Sequence, residues 1–90
     1  MTSEPHDIRL KRLAMRSMRR GIKEMDIILS RFADNHLTGL NARDLECYEQ
    51  LLSENDHDLY AWIIGTQPTP APYEPLMDQI RTDITHITDV

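Results

Sequence analysis

Cysteine is almost missing from this 90-residue chain: Cys47 stands alone, which excludes an intramolecular disulfide framework and suits a reducing compartment. Glycine is scarce too. Gly21, Gly39 and Gly65 are too scattered to form a G-x-G-x-x-G run or any other phosphate-cradling loop, so the chain has no visible means of holding a dinucleotide by itself. No stretch approaches the roughly eighteen consecutive apolar residues that mark a membrane-spanning helix. None alternates apolar and polar residues long enough for a half-buried strand. What is left, with 40% hydrophobic residues, is the composition of a soluble, globular helical chain. One domain is expected, because independent domains run from roughly 50 to 250 residues and small ones bury only about 60% of their unfolded surface.

Chemistry-bearing residues are equally sparse. His6, His36, His57 and His86 are far apart, and none stands one helical turn from another His or Cys, so no metal site is expected. Glu54, Asp56, His57 and Asp58 lack the spaced ligands and turn glycine of a calcium loop and read as a solvated acidic cluster at a helix start. Cys47 lies at the edge of an apolar stripe and reads as a structural, partly buried thiol rather than a nucleophile. These residues give no case for an enzyme.

Charge is the first positive signal. The formal net charge is −5, yet residues 1–23 carry seven basic groups against Glu4 and Asp7, a local net of +5, and residues 24–90 carry a net of −10. Such asymmetry points to a partner chosen electrostatically. The basic N-terminus is amphipathic and Arg-rich, as organelle transit peptides are. Its early acids, its lack of an apolar run and its continuity with the next segment make it read as mature protein.

Helical periodicity organises the rest. A first helix is expected after Ser3, Glu4 and Pro5 and to about Arg19, packing Leu10, Leu13, Ala14, Ser17 and Met18 on one side and presenting Arg9, Arg12, Arg16 and Arg20 on another as a binding stripe. Gly21 follows as its left-handed terminator. A second helix carries Ile22, Met25, Ile28, Leu29, Phe32 and Ala33 and stops at Gly39; a third, capped by Asn41, carries Leu45, Tyr48, Leu51 and Leu52. A short fourth helix starts in Ser53-Glu54-Asn55-Asp56, bears Leu59, Trp62 and Ile63, and closes at Gly65. Residues 66–72, with alternating prolines, form an extended, semi-rigid linker. Pro75 then opens a last helix with Leu76, Met77, Ile80, Ile84 and Ile87, which either covers the bundle or docks separately. Met15, Met18, Met25 and Met77 are expected to fill the core, as is Trp62, which with Tyr60 would be a binding anchor if exposed. The fold class is all-α: residues 1–90 as a single domain, a compact bundle of four to five short helices.

One segment concentrates cations, a flexible residue and two acids at a helix boundary: Arg19-Arg20-Gly21-Ile22-Lys23-Glu24-Met25-Asp26. Read structurally, it is a basic helix end followed by an acidic helix start. Read functionally, the turn exposes a guanidinium for carboxylates or phosphates, and Gly21 lets a partner's backbone approach.

Arg20-Gly21-x-x-Glu24 resembles the R-G-x-x-E motif of the succinate dehydrogenase assembly factors that promote flavinylation. Arg19 before it, Asp26 after it, and the later pattern Leu51-Leu52, then Asp56-x-Asp58-Leu59-x-x-Trp62, extend the resemblance over roughly residues 10 to 65. It implies a non-enzymatic, chaperone-like helical bundle that binds the flavoprotein subunit of succinate dehydrogenase, and in some organisms of fumarate reductase. Covalent FAD attachment then occurs to a His of that subunit, with no FAD bound stably by the factor itself. The resemblance places Arg20, Gly21 and Glu24 at the contact with Arg19 and Asp26 beside them, and the stripe of Arg9, Arg12 and Arg16 adds a steering face. The expected location is the bacterial cytoplasm, or the mitochondrial matrix for a processed eukaryotic chain. His57 stands where family members often have Pro, and the proline linker is particular to this sequence.

Two alternatives use the same basic helix: binding of nucleic acid, which the −10 body opposes and no aromatic platform supports, and binding of another acidic protein as an inhibitor or antitoxin-like module.

Overall fold

The computed structural model describes the backbone of residues 4–88 and the side chains of residues 4–84. Within them the chain forms α1 His6–Arg16, α2 Lys23–His36, α3 Ala42–Leu52, α4 Asp56–Ile64 and α5 Glu74–Thr88, with single 3-10 turns at Leu37–Gly39 and Ala71–Tyr73 and no strand. This is the expected all-α bundle.

The helix ends follow from local chemistry. Pro5 opens α1 with a fixed φ and no N–H to satisfy, and no side chain caps it; Ser3, the expected cap, lies outside the described residues. Asn41 Oδ1 accepts from the Asp44 N–H at 2.8 Å, and Asn55 Oδ1 accepts from the His57 N–H at 2.8 Å. Each asparagine thereby satisfies a donor that the first turn leaves unpaired. Gly65 ends α4 at φ 85°, the left-handed conformation that glycine adopts without a Cβ penalty. The linker stays non-helical through Pro70, then makes a 3-10 turn around Pro72, so the expected extended stretch of 66–72 ends early.

The buried set joins all five helices: Leu13 from α1, Met25, Leu29, Phe32 and Ala33 from α2, Leu45, Tyr48, Leu51 and Leu52 from α3, Leu59 and Trp62 from α4, and Leu76, Met77 and Ile80 from α5. Full burial of one large apolar side chain contributes about 1.5–3 kcal/mol. The Phe32 and Tyr48 rings lie 5.5 Å apart at the centre, and Trp62 packs 5.8 Å from Tyr73. Because α5 feeds this same cluster, it covers the bundle rather than docking apart. Behind its apolar face, buried Asp83 accepts from Asn35 Nδ2 at 3.3 Å and His36 Nε2 at 3.0 Å. Arg81 anchors the linker by donating to the Trp62 carbonyl and Thr69 Oγ1, both at 2.8 Å. The side chains of His86 and Ile87 lie outside the described residues.

The methionines divide. Met25 and Met77 are core residues, whereas Met15 and Met18, also expected inside, are exposed. Met15 lies on the outer face of α1, and Met18 stands in the turn that follows it.

Candidate functional site

The turn between α1 and α2, residues 17–22, is where the sequence placed its strongest signal. It starts with an inward residue. Ser17 is fully buried, its Oγ donates to the Leu13 carbonyl at 2.8 Å, and the same oxygen lies 2.6 Å from the Tyr48 hydroxyl. A serine hydroxyl has one hydrogen, so Tyr48 is the donor of the second bond. Burial pushes the Tyr48 hydroxyl up to about 12. This inward pull ends α1 at Arg16 rather than near Arg19.

The next residues are held from α2. Arg19 has φ 58°, the left-handed region, which costs an L-residue other than glycine roughly 1–2 kcal/mol. Its N–H donates to Asp26 Oδ1 at 2.7 Å, and Ser30 Oγ reaches both the Ser17 carbonyl at 3.2 Å and Asp26 Oδ1 at 3.3 Å. The residue expected to be left-handed, Gly21, is not: among the described glycines only Gly65 has positive φ. Arg19 takes the conformation because the chain must turn two residues before Gly21, immediately after Ser17 and Met18.

Arg20 corrects a second expectation, that the turn exposes its guanidinium. The Arg20 side chain is only 11% exposed and that of Asp56 15%. Arg20 Nε donates to Asp56 Oδ1 at 2.8 Å, and Nη2 lies 2.7 Å from the same oxygen in an ion pair. Its Nη1 donates to the Arg16 carbonyl at 2.9 Å and the Leu52 carbonyl at 3.2 Å. Those carbonyls belong to the last residues of α1 and α3, where intrahelical donors run out and a cation is favoured. Asp56 is the first residue of α4, where an anion is favoured. One guanidinium therefore binds three helix ends. The other carboxylate oxygen, Asp56 Oδ2, accepts from the Gly21 N–H at 2.7 Å, and a Cβ added at Gly21 would stand 3.2 Å from it.

What the turn leaves open is a different set. Gly21, Arg19, Lys23 and Glu24 are exposed, with Met18 and Ile27 exposed beside them in sequence. Among the described residues the side chains of Arg19, Lys23 and Glu24 have no hydrogen-bond or ion-pair partner.

The basic stripe of α1 is not a free face either. Arg9 Nη2 pairs with Glu46 at 3.0 Å and Glu49 at 2.9 Å, Arg12 Nη2 with Glu4 at 2.8 Å and Glu49 at 2.9 Å, and Arg16 Nη2 donates to Ser53 Oγ at 3.1 Å. Arg9 and Arg12 thus find compensating acids on α3, at Glu46 and Glu49, within the chain. Partial burial pushes the Glu49 carboxyl up, but hydrogen bonds from Arg12 and Arg9 outweigh this and hold it below its usual value.

The remaining candidates are structural. Burial, and then the charge of Asp44, push the Cys47 thiol up, and its Sγ lies 3.4 Å from the Pro72 carbonyl. Among the described residues no three His, Cys, Asp or Glu side chains are placed to hold a metal ion. The residue of this turn that sequence reasoning undervalued is Asp56, taken for part of a solvated cluster. The signal was present in the pattern Asp56-x-Asp58-Leu59-x-x-Trp62, but the identity of its cationic partner was not.

Comparison with known proteins identifies the family. A family model described as "Flavinator of succinate dehydrogenase" matches residues 11–84. Relatives include succinate dehydrogenase assembly factor 2-B, mitochondrial, of Drosophila ananassae, 42% identical over 74 residues, which are 80% of this chain and 45% of that protein. Succinate dehydrogenase assembly factor 2, mitochondrial, of Danio rerio is 41% identical over 81 residues, 87% of this chain and 51% of that protein. The corresponding factor of Komagataella phaffii is 39% identical over 71 residues, 78% of this chain and 37% of that protein. The chain thus spans about half or less of the length of these relatives. Among the described residues no helix is long and apolar enough to cross a membrane. With its matched segment reaching from α1 into α5 and containing the whole clasped turn, this chain belongs to the succinate dehydrogenase flavinator family.

Proposed function

We propose that this chain binds the flavoprotein subunit of succinate dehydrogenase, or the homologous subunit of fumarate reductase, and holds it in a conformation in which FAD becomes covalently attached. The factor contributes positioning and no catalytic residue of its own: a protein that binds one conformer shifts the population toward it by its differential affinity, and correct placement of reacting groups supplies rate without new chemistry. FAD belongs to the partner's site. The encounter takes place in the aqueous compartment that holds the new flavoprotein, the bacterial cytoplasm or the mitochondrial matrix.

The observation that carries this reading is the family match across residues 11–84, which encloses a turn whose backbone is held by the side chains of Asp26, Ser30 and Asp56 and whose outer surface offers an exposed glycine with Arg19, Lys23 and Glu24 unpaired among the described residues. In this proposal Arg19, Gly21 and Glu24 face the partner, and Arg20 and Asp26 hold the turn. Arg9, Arg12 and Arg16 fasten α1 to α3. That assignment weighs against the nucleic-acid alternative, since Arg9 and Arg12 of the stripe it needs are ion-paired within the chain.

The test is covalent flavin fluorescence of the flavoprotein subunit after denaturing electrophoresis, in cells lacking their own factor. Wild-type chain restores the fluorescent band, and Glu24→Ala, an exposed change worth less than about 0.5 kcal/mol to the fold, weakens it. Failure of the wild-type chain to restore the band overturns the reading. The purified protein is expected to be colourless; stoichiometric FAD surviving gel filtration overturns the assignment of the cofactor site to the partner.

A further inference from the structure

We propose that Asp56 and Arg20 are one positioning unit, and that Arg20 serves the partner contact only through this clasp, without touching the partner itself. The inference rests on the reading above, that the turn at Gly21 is the contact surface, and adds which of its residues act indirectly.

Three observations converge. The first is engagement. Every Arg20 nitrogen already lies within 3.2 Å of an acceptor of the same chain: Asp56 Oδ1, the Arg16 carbonyl or the Leu52 carbonyl. The side chain is only 11% exposed, so a partner carboxylate has little access to it, and drawing it away from Asp56 would leave an uncompensated, partly buried charge. The second is what Asp56 does with its other oxygen. Oδ2 accepts the Gly21 N–H, so one carboxylate orients both the side chain of the motif's arginine and the backbone of its glycine. The third is strain. Arg19, next to this pair, is held at φ 58° by Asp26 on one side and by the clasped Arg20 and Gly21 on the other, and such a conformation persists only where its surroundings over-determine it.

Glycine at position 21 acquires a second reason. A Cβ there would stand 3.2 Å from Asp56 Oδ2, so a larger side chain pushes on the clasp as well as on any approaching partner.

The test is a double-mutant cycle on affinity for the purified flavoprotein subunit, measured by titration calorimetry, with Arg20→Ala, Asp56→Asn and the double variant. Amide hydrogen exchange at Gly21 is followed in the free protein, and thermal melts confirm folding. Each single substitution is expected to weaken binding by at least about tenfold, and the double to be within about threefold of the worse single, because coupled residues are strongly non-additive. Gly21 exchange protection falls in Asp56→Asn while the rest of the bundle keeps its protection, a change that a general loss of stability would not confine to one amide. Should Asp56→Asn melt below the assay temperature, the charge-conserving Asp56→Glu, whose extra methylene moves the carboxylate off Gly21, is read in the same way. Independent, multiplicative losses in the double variant show that Arg20 touches the partner and overturn the proposal. So does wild-type affinity for Asp56→Asn when Gly21→Arg has lost binding, an outcome that leaves the turn as the contact. Wild-type affinity for Gly21→Arg instead removes the turn from the contact altogether, and the proposal falls with it.

Discussion

Gly21 and Gly65 both follow a helix, and they are glycine for opposite reasons. At Gly65 the backbone takes φ 85° and an added Cβ would meet nothing within 4 Å, so glycine is needed for conformation and not for space. At Gly21 the backbone is not left-handed, and an added Cβ would press on the Asp56 carboxylate at 3.2 Å. There glycine is needed for space. The left-handed residue of that turn is Arg19, which has a side chain and pays for it. A helix terminator can therefore be replaced at a cost to the fold alone, whereas a glycine under a clasp cannot be replaced without disturbing what the clasp holds.

The sharpest break in this comparison is Gly21→Arg, which is expected to abolish covalent flavin attachment while circular dichroism and the thermal melt still report a folded helical bundle. Undiminished attachment by that variant would return the turn to the status of an ordinary connection. Gly65→Ala is the counterpart. It should lower stability by on the order of 1 kcal/mol, because alanine must enter the left-handed region, and leave flavin attachment proportionate to the folded fraction. A functional defect beyond the loss of folded protein would mean that α4's end also meets the partner.

Arg19→Gly sharpens the comparison from the other direction. Removing the Cβ at φ 58° relieves strain, offset by the greater freedom of glycine in the unfolded chain, so denaturant melts should show a gain of up to about 1 kcal/mol. If Arg19 faces the partner, this more stable variant is the poorer factor. A loss of stability would show that the turn's conformation is not strained at Arg19.

The smallest effect concerns the paired stripe. Glu49 has its folded value held below the ordinary 4.5, so the stabilisation it brings is present above the unfolded value and disappears as pH falls through the folded one. Exposed ion pairs are typically worth about 0.2–1 kcal/mol, so Glu49→Gln should melt slightly below wild type at neutral pH. The two curves should converge in acid, below 4.5. A difference that persists there would assign the effect to packing rather than charge.

Most of the fold could be read from the residues because it depends on short-range pattern. The stripe of Leu45, Tyr48, Leu51 and Leu52 and the asparagine cap of α3 need only the helical repeat, and all four side chains are buried as that repeat requires. Residues of the site were legible as a list but not as an arrangement. Nothing local says that Arg20 finds Asp56 across 36 positions of sequence, or that Arg9 finds Glu49 across 40. Such partners are decided by which helix faces meet after packing, and a stripe of arginines looks the same whether its acids lie on a partner or on the next helix. The misplaced left-handed residue has a similar origin: Ser17 turns inward to reach Tyr48 on α3, a long-range bond that shifts the end of α1 away from its glycine.

The bonds made by Arg20 also impose an order in time. Chains emerge from synthesis N-terminal end first, so the R-G-x-x-E segment appears before the acid that shapes it, which comes 35 residues after Gly21. Closing a loop of that length costs entropy that only the packing of α3 and α4 can offset. Until those helices have docked, the motif is a flexible stretch with a loose arginine, and once they have docked it is a shaped surface. On the proposed reading of the turn as the contact surface, a nascent or truncated chain that ends before α4 contains every letter of the motif and still lacks the carboxylate that shapes it.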